Sequence, residues 1–155
     1  MTHSNETEEI RTWGMWAHLS SLVWIPLMFV GLSFPVLNII GPLIVWLYKR
    51  KDHEFIDAQG KESLNFQLSF TLYNFILALI LIVVGVIIGL TVITAPNQPT
   101  DSQAGGAVFG LGLVGFSFLL AVILAIAQLI LVIIAARKAK KGEFYVYPLT
   151  IRFLR

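Results

Sequence analysis

The chain contains no cysteine, so it can form neither a disulfide nor a thiolate metal site, and its redox compartment leaves no mark on it. Charge is almost as scarce. Asp, Glu, Lys and Arg make up 13% of the 155 residues, and none occurs from Thr12 to Tyr48, from Ser63 to Thr100, or from Ser102 to Ala136. An unpaired charge in hydrocarbon is strongly disfavoured, so charge-free runs of this length are what a bilayer demands. No carboxylate lies within the three runs, which argues against a proton-coupled carrier. His3, His18 and His53 lack metal-ligand spacing, and there is no HExxH motif. Gly60-Lys61 falls short of a phosphate loop, because Phe55 and Glu62 stand where that motif needs Gly and Ser or Thr. No serine or carboxylate pair is set up for hydrolysis. The chain is therefore expected to be no enzyme and to carry no cofactor or metal, with no small-molecule substrate identified.

What is present is apolar: 57% of the residues are hydrophobic, which suits a single helical membrane domain. The first run is broken by Pro26, Pro35 and Pro42, each lacking a backbone donor. Gly31-Leu32-Ser33-Phe34-Pro35 reads as a turn between helix 1 (14–31) and helix 2 (35–48). Helix 2 reaches only about 21 Å against a hydrocarbon core of about 30 Å, so the pair is either a short spanning hairpin or re-entrant. Charged residues 49–62 read as a cytoplasmic loop, 63–95 as helix 3, the polar stretch 96–106 as an external loop, and 107–137 as helix 4.

The remaining charge is unevenly placed. Residues 1–12 form an acidic tail (Glu6, Glu8 and Glu9 against Arg11). Residues 138–155 form a basic one, preceded by Arg137. Basic groups at 49–51 and 137–141 are expected in the cytoplasm, which puts both termini there. The N-terminus lacks the basic region of a secretory signal. The expected architecture is an all-α integral membrane protein. It is a four-helix transmembrane bundle whose first two helices form a short Pro/Gly-broken hairpin. It partners the lipid bilayer and no nucleic acid.

Small residues mark candidate helix-packing faces: Gly85 and Gly89, Gly106 and Gly110, then Ser117, Ala121 and Ala125. They serve packing within the bundle or a homo-oligomer contact. Among the polar residues of the runs are Asn38, Asn65, Gln67 and Gln128. His18 is expected to be a wetted interfacial histidine. Asp57, Lys61, Asn65 and Ser69 recur every four residues, forming a polar stripe that enters the membrane from the cytoplasm and is a candidate partner contact. The tail 142–155 alternates polar and apolar residues too briefly to span, and is expected along the cytoplasmic interface, with Arg152 paired to Asp57 or Glu62.

Four motifs in order carry a resemblance over Trp13–Phe153. They are His18-Leu-Ser-Ser-Leu22, Gly41-Pro-Leu-Ile-Val-Trp-Leu-Tyr-Lys49, the Asp57–Gln67 segment and Tyr147-Pro-Leu-Thr-Ile-Arg-Phe153. The chain resembles a family of small bacterial membrane proteins, a domain of unknown function distantly similar to the Tic-twenty subunit of the chloroplast inner-envelope protein translocon. The resemblance implies a four-helix fold in the bacterial cytoplasmic membrane. Two functions are expected from this reading. The first is a non-catalytic structural or accessory subunit of a larger membrane complex. The alternative is a channel or protein-translocation subunit, in which Lys61, Asn65, Ser69 and Tyr73 line water.

Overall fold

The computed structural model describes residues 2–32, 34, 36–94 and 100–155, which are mostly helical with no strand among them. Helix α1 (Thr2–Leu19) passes through a 3₁₀ turn (Ser20–Val23) into the short α2 (Trp24–Phe29). Helices α3 (Leu37–Lys49), α4 (Glu54–Thr94) and α5 (Thr100–Lys141) follow. Gly31 stops α2 and Gly142 stops α5 in the same way. Each has positive φ, +80° and +82°, and the residue after it donates to a carbonyl five positions back: Leu32 to Leu27 and Glu143 to Lys138. This is the left-handed helix cap that glycine reaches without steric penalty. The expected turn therefore stands at Gly31, while Ser33 and Pro35 lie outside the described residues.

Four expected boundaries are corrected. The acidic segment 1–12 is part of α1 from Thr2, not a loose tail. Thr12 donates to the Glu8 carbonyl at 2.7 Å, and Lys140 of α5 reaches Thr12 at 2.7 Å and Glu8 at 3.4 Å. The supposed loop 49–62 is helical from Glu54. His53 caps that end: its Nδ1 accepts from the Phe55 N–H at 3.0 Å, and Glu54 and Asp57 lie in the first turn, where acids suit the helix dipole. Within the expected loop 96–106, residues 100–106 belong to α5, and 96–99 lie outside the described residues. Helix α5 also runs on to Lys141, so the basic tail starts at Gly142.

Two compact units make up the chain. The first comprises Met1–Leu72 with Gln128–Arg155, and the second Tyr73–Ala127. In the first, α3 packs against α1 and the 3₁₀ turn. The approach is closest at Gly41, where any Cβ would strike the Ser20 carbonyl, so glycine is needed there. Likewise a Cβ on Gly60 would enter the Trp46 ring. The apolar core gathers Phe66, Val132, Ala135 and Tyr147, with Ala17 and Ala139 fully buried. Small alanines on α5 let that helix sit close to its neighbours.

The second unit is different in kind. Its large apolar side chains, among them Phe75, Ile82, Leu111 and Phe118, are exposed. At about 1.5 Å per residue, Tyr73–Thr94 extends about 33 Å, close to a hydrocarbon core of about 30 Å. Among the described residues two helices are long and apolar enough to cross a membrane, within Glu54–Thr91 and Val108–Lys141, and Leu37–Lys49 is a shorter apolar helix.

Candidate functional site

The polar residues of α4 converge on the first unit. Two stripes run along the helix at steps of four. One is the expected stripe Asp57, Lys61, Asn65 and Ser69; the other is Gln59, Ser63, Gln67 and Thr71. A four-residue step keeps each stripe on one helix face.

The first stripe divides in two. Asp57 pairs with Lys61 at 2.7 Å and accepts a hydrogen bond from the Trp46 indole at 2.7 Å, both at partly exposed positions. Asn65 and Ser69 are buried and hold the C-terminal segment by its backbone. Asn65 donates through Nδ2 to the Leu154 carbonyl at 2.9 Å and accepts from the Leu154 N–H at 2.8 Å. Ser69 Oγ accepts from the Ile151 N–H at 2.8 Å and donates to the Asn65 carbonyl at 2.7 Å. One turn nearer the start of α4, Glu62 accepts from the Tyr147 N–H at 2.8 Å. The tail thus lies over the stripe, and Asn65 and Ser69 do not face water as the channel reading required.

The second stripe organises two buried groups. Gln59 donates to the Glu143 carbonyl at 3.0 Å, and its Oε1 lies 2.8 Å from His18 Nε2. The other ring nitrogen of His18 lies 3.0 Å from the Tyr147 hydroxyl. The neutral Nε2–H tautomer satisfies both, donating to Gln59 and accepting from Tyr147. The Tyr147 ring stacks on Phe66 with centroids 4.0 Å apart and planes 7° apart. Burial, with Tyr145 and Glu62 nearby, pushes the Tyr147 phenol well above its ordinary range, so it remains a donor. His18 is fully buried, which corrects the expectation of a wetted ring. Two helical turns further along, Gln67 Oε1 accepts from Asn38 at 3.0 Å and from Gln128 at 2.7 Å, and Asn38 also donates to Thr71 at 3.1 Å. Among the described residues, Ser20 Oγ, Ser63 Oγ and Gln67 Nε2 are buried with no hydrogen-bond partner.

The expected Arg152 pairing is not made. Asp57 is engaged by Lys61 and Glu62 by the Tyr147 backbone, while Arg152 stands exposed. Among the candidate packing glycines, a Cβ at Gly85, Gly89 or Gly110 would meet nothing within 4 Å. Ser117 turns its hydroxyl back to the Leu113 carbonyl at 2.6 Å. Among the described residues no group of three or more His, Asp or Glu side chains is placed to hold a metal ion. The sequence marks Glu62 only as a partner for Arg152 and Tyr147 only within the C-terminal motif, and it does not single out Gln59. The signal for Gln59 was there, in the second four-residue polar step along α4; Glu62 and Tyr147 meet through a backbone N–H that sequence does not mark.

Two helices long and apolar enough to cross a membrane, with a buried polar clasp in the first unit, mark a membrane-associated protein. Residues 9–154 match the model of the magnetosome magnetite crystal formation protein family, so the chain belongs to that family. No curated protein and no solved structure matches it. The comparisons show no similarity to the Tic-twenty family.

Proposed function

We propose that the protein is a non-catalytic accessory protein of magnetite crystal formation, held in the membrane by several spans with both termini on the cytoplasmic side. Four helices, two of them the short hairpin pair, form the membrane-bound body, and it works in a larger membrane complex or as a homo-oligomer through its small-residue faces. Family membership supplies the process. The observation that carries the accessory role is how the buried polar groups are used. His18 is held by Gln59 and Tyr147, Gln67 by Asn38 and Gln128, and Asn65 and Ser69 by the tail backbone, so each is spent on a structural hydrogen bond. Such a network fixes a shape, and fixed polar networks in a low-dielectric interior favour one arrangement over competitors.

The test is removal of the gene from a magnetite-forming host, followed by electron microscopy of the crystals. Altered crystal size or number, restored by the wild-type chain and by a chain carrying Lys61→Ala, supports a role that needs the body of the protein but not its exposed ion pair. Unchanged crystals in the deletion strain would overturn the proposal.

A further inference from the structure

The C-terminal segment is held in an unusual way. Gln59, Glu62, Asn65 and Ser69 all grip it by backbone atoms, at Glu143, Tyr147, Leu154 and Ile151. Only Tyr147 turns its side chain fully inward. Tyr145 packs partly against the core and Phe144 meets Phe55 of α4 edge-on with centroids 5.1 Å apart, yet the large apolar side chains stay exposed: Phe144 by 65%, Val146 by 62%, Leu149 by 87% and Phe153 by 49%. Leu149 also has φ of 56°, in the left-handed region that non-glycine residues rarely occupy. The surrounding hydrogen bonds thus hold the most exposed apolar side chain of the segment in a strained backbone conformation, which is the kind of outlier that points to a use.

Charge supplies the second half of the pattern. From Arg137 onward six cations face the single acid Glu143. Lys140 is engaged with Glu8 and Thr12. Arg137, Lys141, Arg152 and Arg155 form no ion pair among the described residues, and Arg152 and Arg155 are exposed beside Phe153. Exposed apolar side chains interleaved with unpaired cations, directly after a helix long enough to span, match a bilayer surface in which acyl chains accept the former and anionic headgroups the latter. A nucleic acid would reward the cations alone.

We infer that the segment Gly142–Arg155 is a preformed docking surface for anionic phospholipid, with Leu149 and its apolar neighbours entering the headgroup region and Arg152 and Arg155 binding lipid phosphates. Because the backbone is already pinned to α4, docking carries little ordering cost. The inference is independent of the role in crystal formation.

The absence of native cysteine makes the test direct. The full chain carrying Leu149→Cys, labelled with an environment-sensitive fluorophore, is reconstituted in vesicles of phosphatidylcholine alone or mixed with phosphatidylglycerol. A blue shift that grows with phosphatidylglycerol content and falls at high salt is expected. Arg152→Gln and Arg155→Gln should each weaken the lipid dependence about fivefold, the effect of one cation near an anionic surface. Both positions are exposed, and circular dichroism checks that the variants stay helical. Emission that is the same in both vesicle types overturns the inference. So does a shift that survives the double variant in full, since insertion would then be independent of anionic lipid.

Discussion

The two units use the same helices for opposite ends. Between Glu54 and Leu72, α4 buries Gln59, Ser63, Asn65, Gln67 and Ser69. From Tyr73 onward it exposes Phe75, Leu79, Ile82 and Val86 instead. In the first unit, stability rests on buried hydrogen bonds, because a buried polar group without a partner is costly, as Ser20 Oγ, Ser63 Oγ and Gln67 Nε2 are here. In the second, apolar surface is left outward, an arrangement that a lipid solvent rewards. One helix can serve both because its backbone is satisfied internally wherever it lies.

The contrast predicts opposite sensitivities to substitution. The largest effect belongs to Ile82→Asp. A charge at the centre of a spanning helix costs about 2.5–3.5 kcal/mol of insertion free energy. Membrane extraction at alkaline pH should find a larger soluble fraction, and an unchanged fraction would deny that this stretch meets lipid. Next comes Gln67→Ala, which strands the donors of Asn38 and Gln128 in the interior. The expected loss is about 2–3 kcal/mol, read as a lower denaturation midpoint in detergent. Gly41→Ala should cost about 1–3 kcal/mol, since the new methyl meets the Ser20 carbonyl and α3 must shift. A neutral result at Gly41 would mean that α3 is held less tightly against the 3₁₀ turn.

The smallest effect is expected from Tyr147→Phe, which keeps the stack on Phe66 and removes one hydrogen bond to His18, at about 1 kcal/mol. The same phenol gives a pH test. Its folded ionisation lies above the ordinary range of about 10, so the folded state holds its proton more tightly than the unfolded chain does. Its contribution is complete below about pH 10 and is lost as pH rises toward the folded value. Stability of the wild type should therefore fall faster above about pH 10 than that of Tyr147→Phe. Parallel curves would show that Tyr147 ionises freely.

How much of this was legible in sequence differs between the same two units. The apolar halves of α4 and α5 announce themselves, because the absence of charge over a bilayer's length has a single common cause. The start of α4 was misread because charges at 49–62 resemble a loop, although Glu54 and Asp57 after His53 are equally the acids of a first helical turn. The stripe through Asn65 and Ser69 was legible from its spacing, but its partner was not. Those side chains bind the backbone of Ile151 and Leu154, and any residue at those positions offers the same atoms. His18 was misplaced for a related reason: its ring partners, Gln59 and Tyr147, lie 41 and 129 residues away.

Thiol accessibility tests most directly whether the tail covers the polar stripe. A single cysteine at Ser69, the closest replacement for the hydroxyl, is exposed to a membrane-impermeant maleimide in the full chain and in a chain ending at Gly142. The clasp predicts a thiol that is protected in the full chain and becomes reactive once the tail is removed. Rapid labelling in the full chain would contradict it, and would show that the stripe is open to water with the tail lying elsewhere.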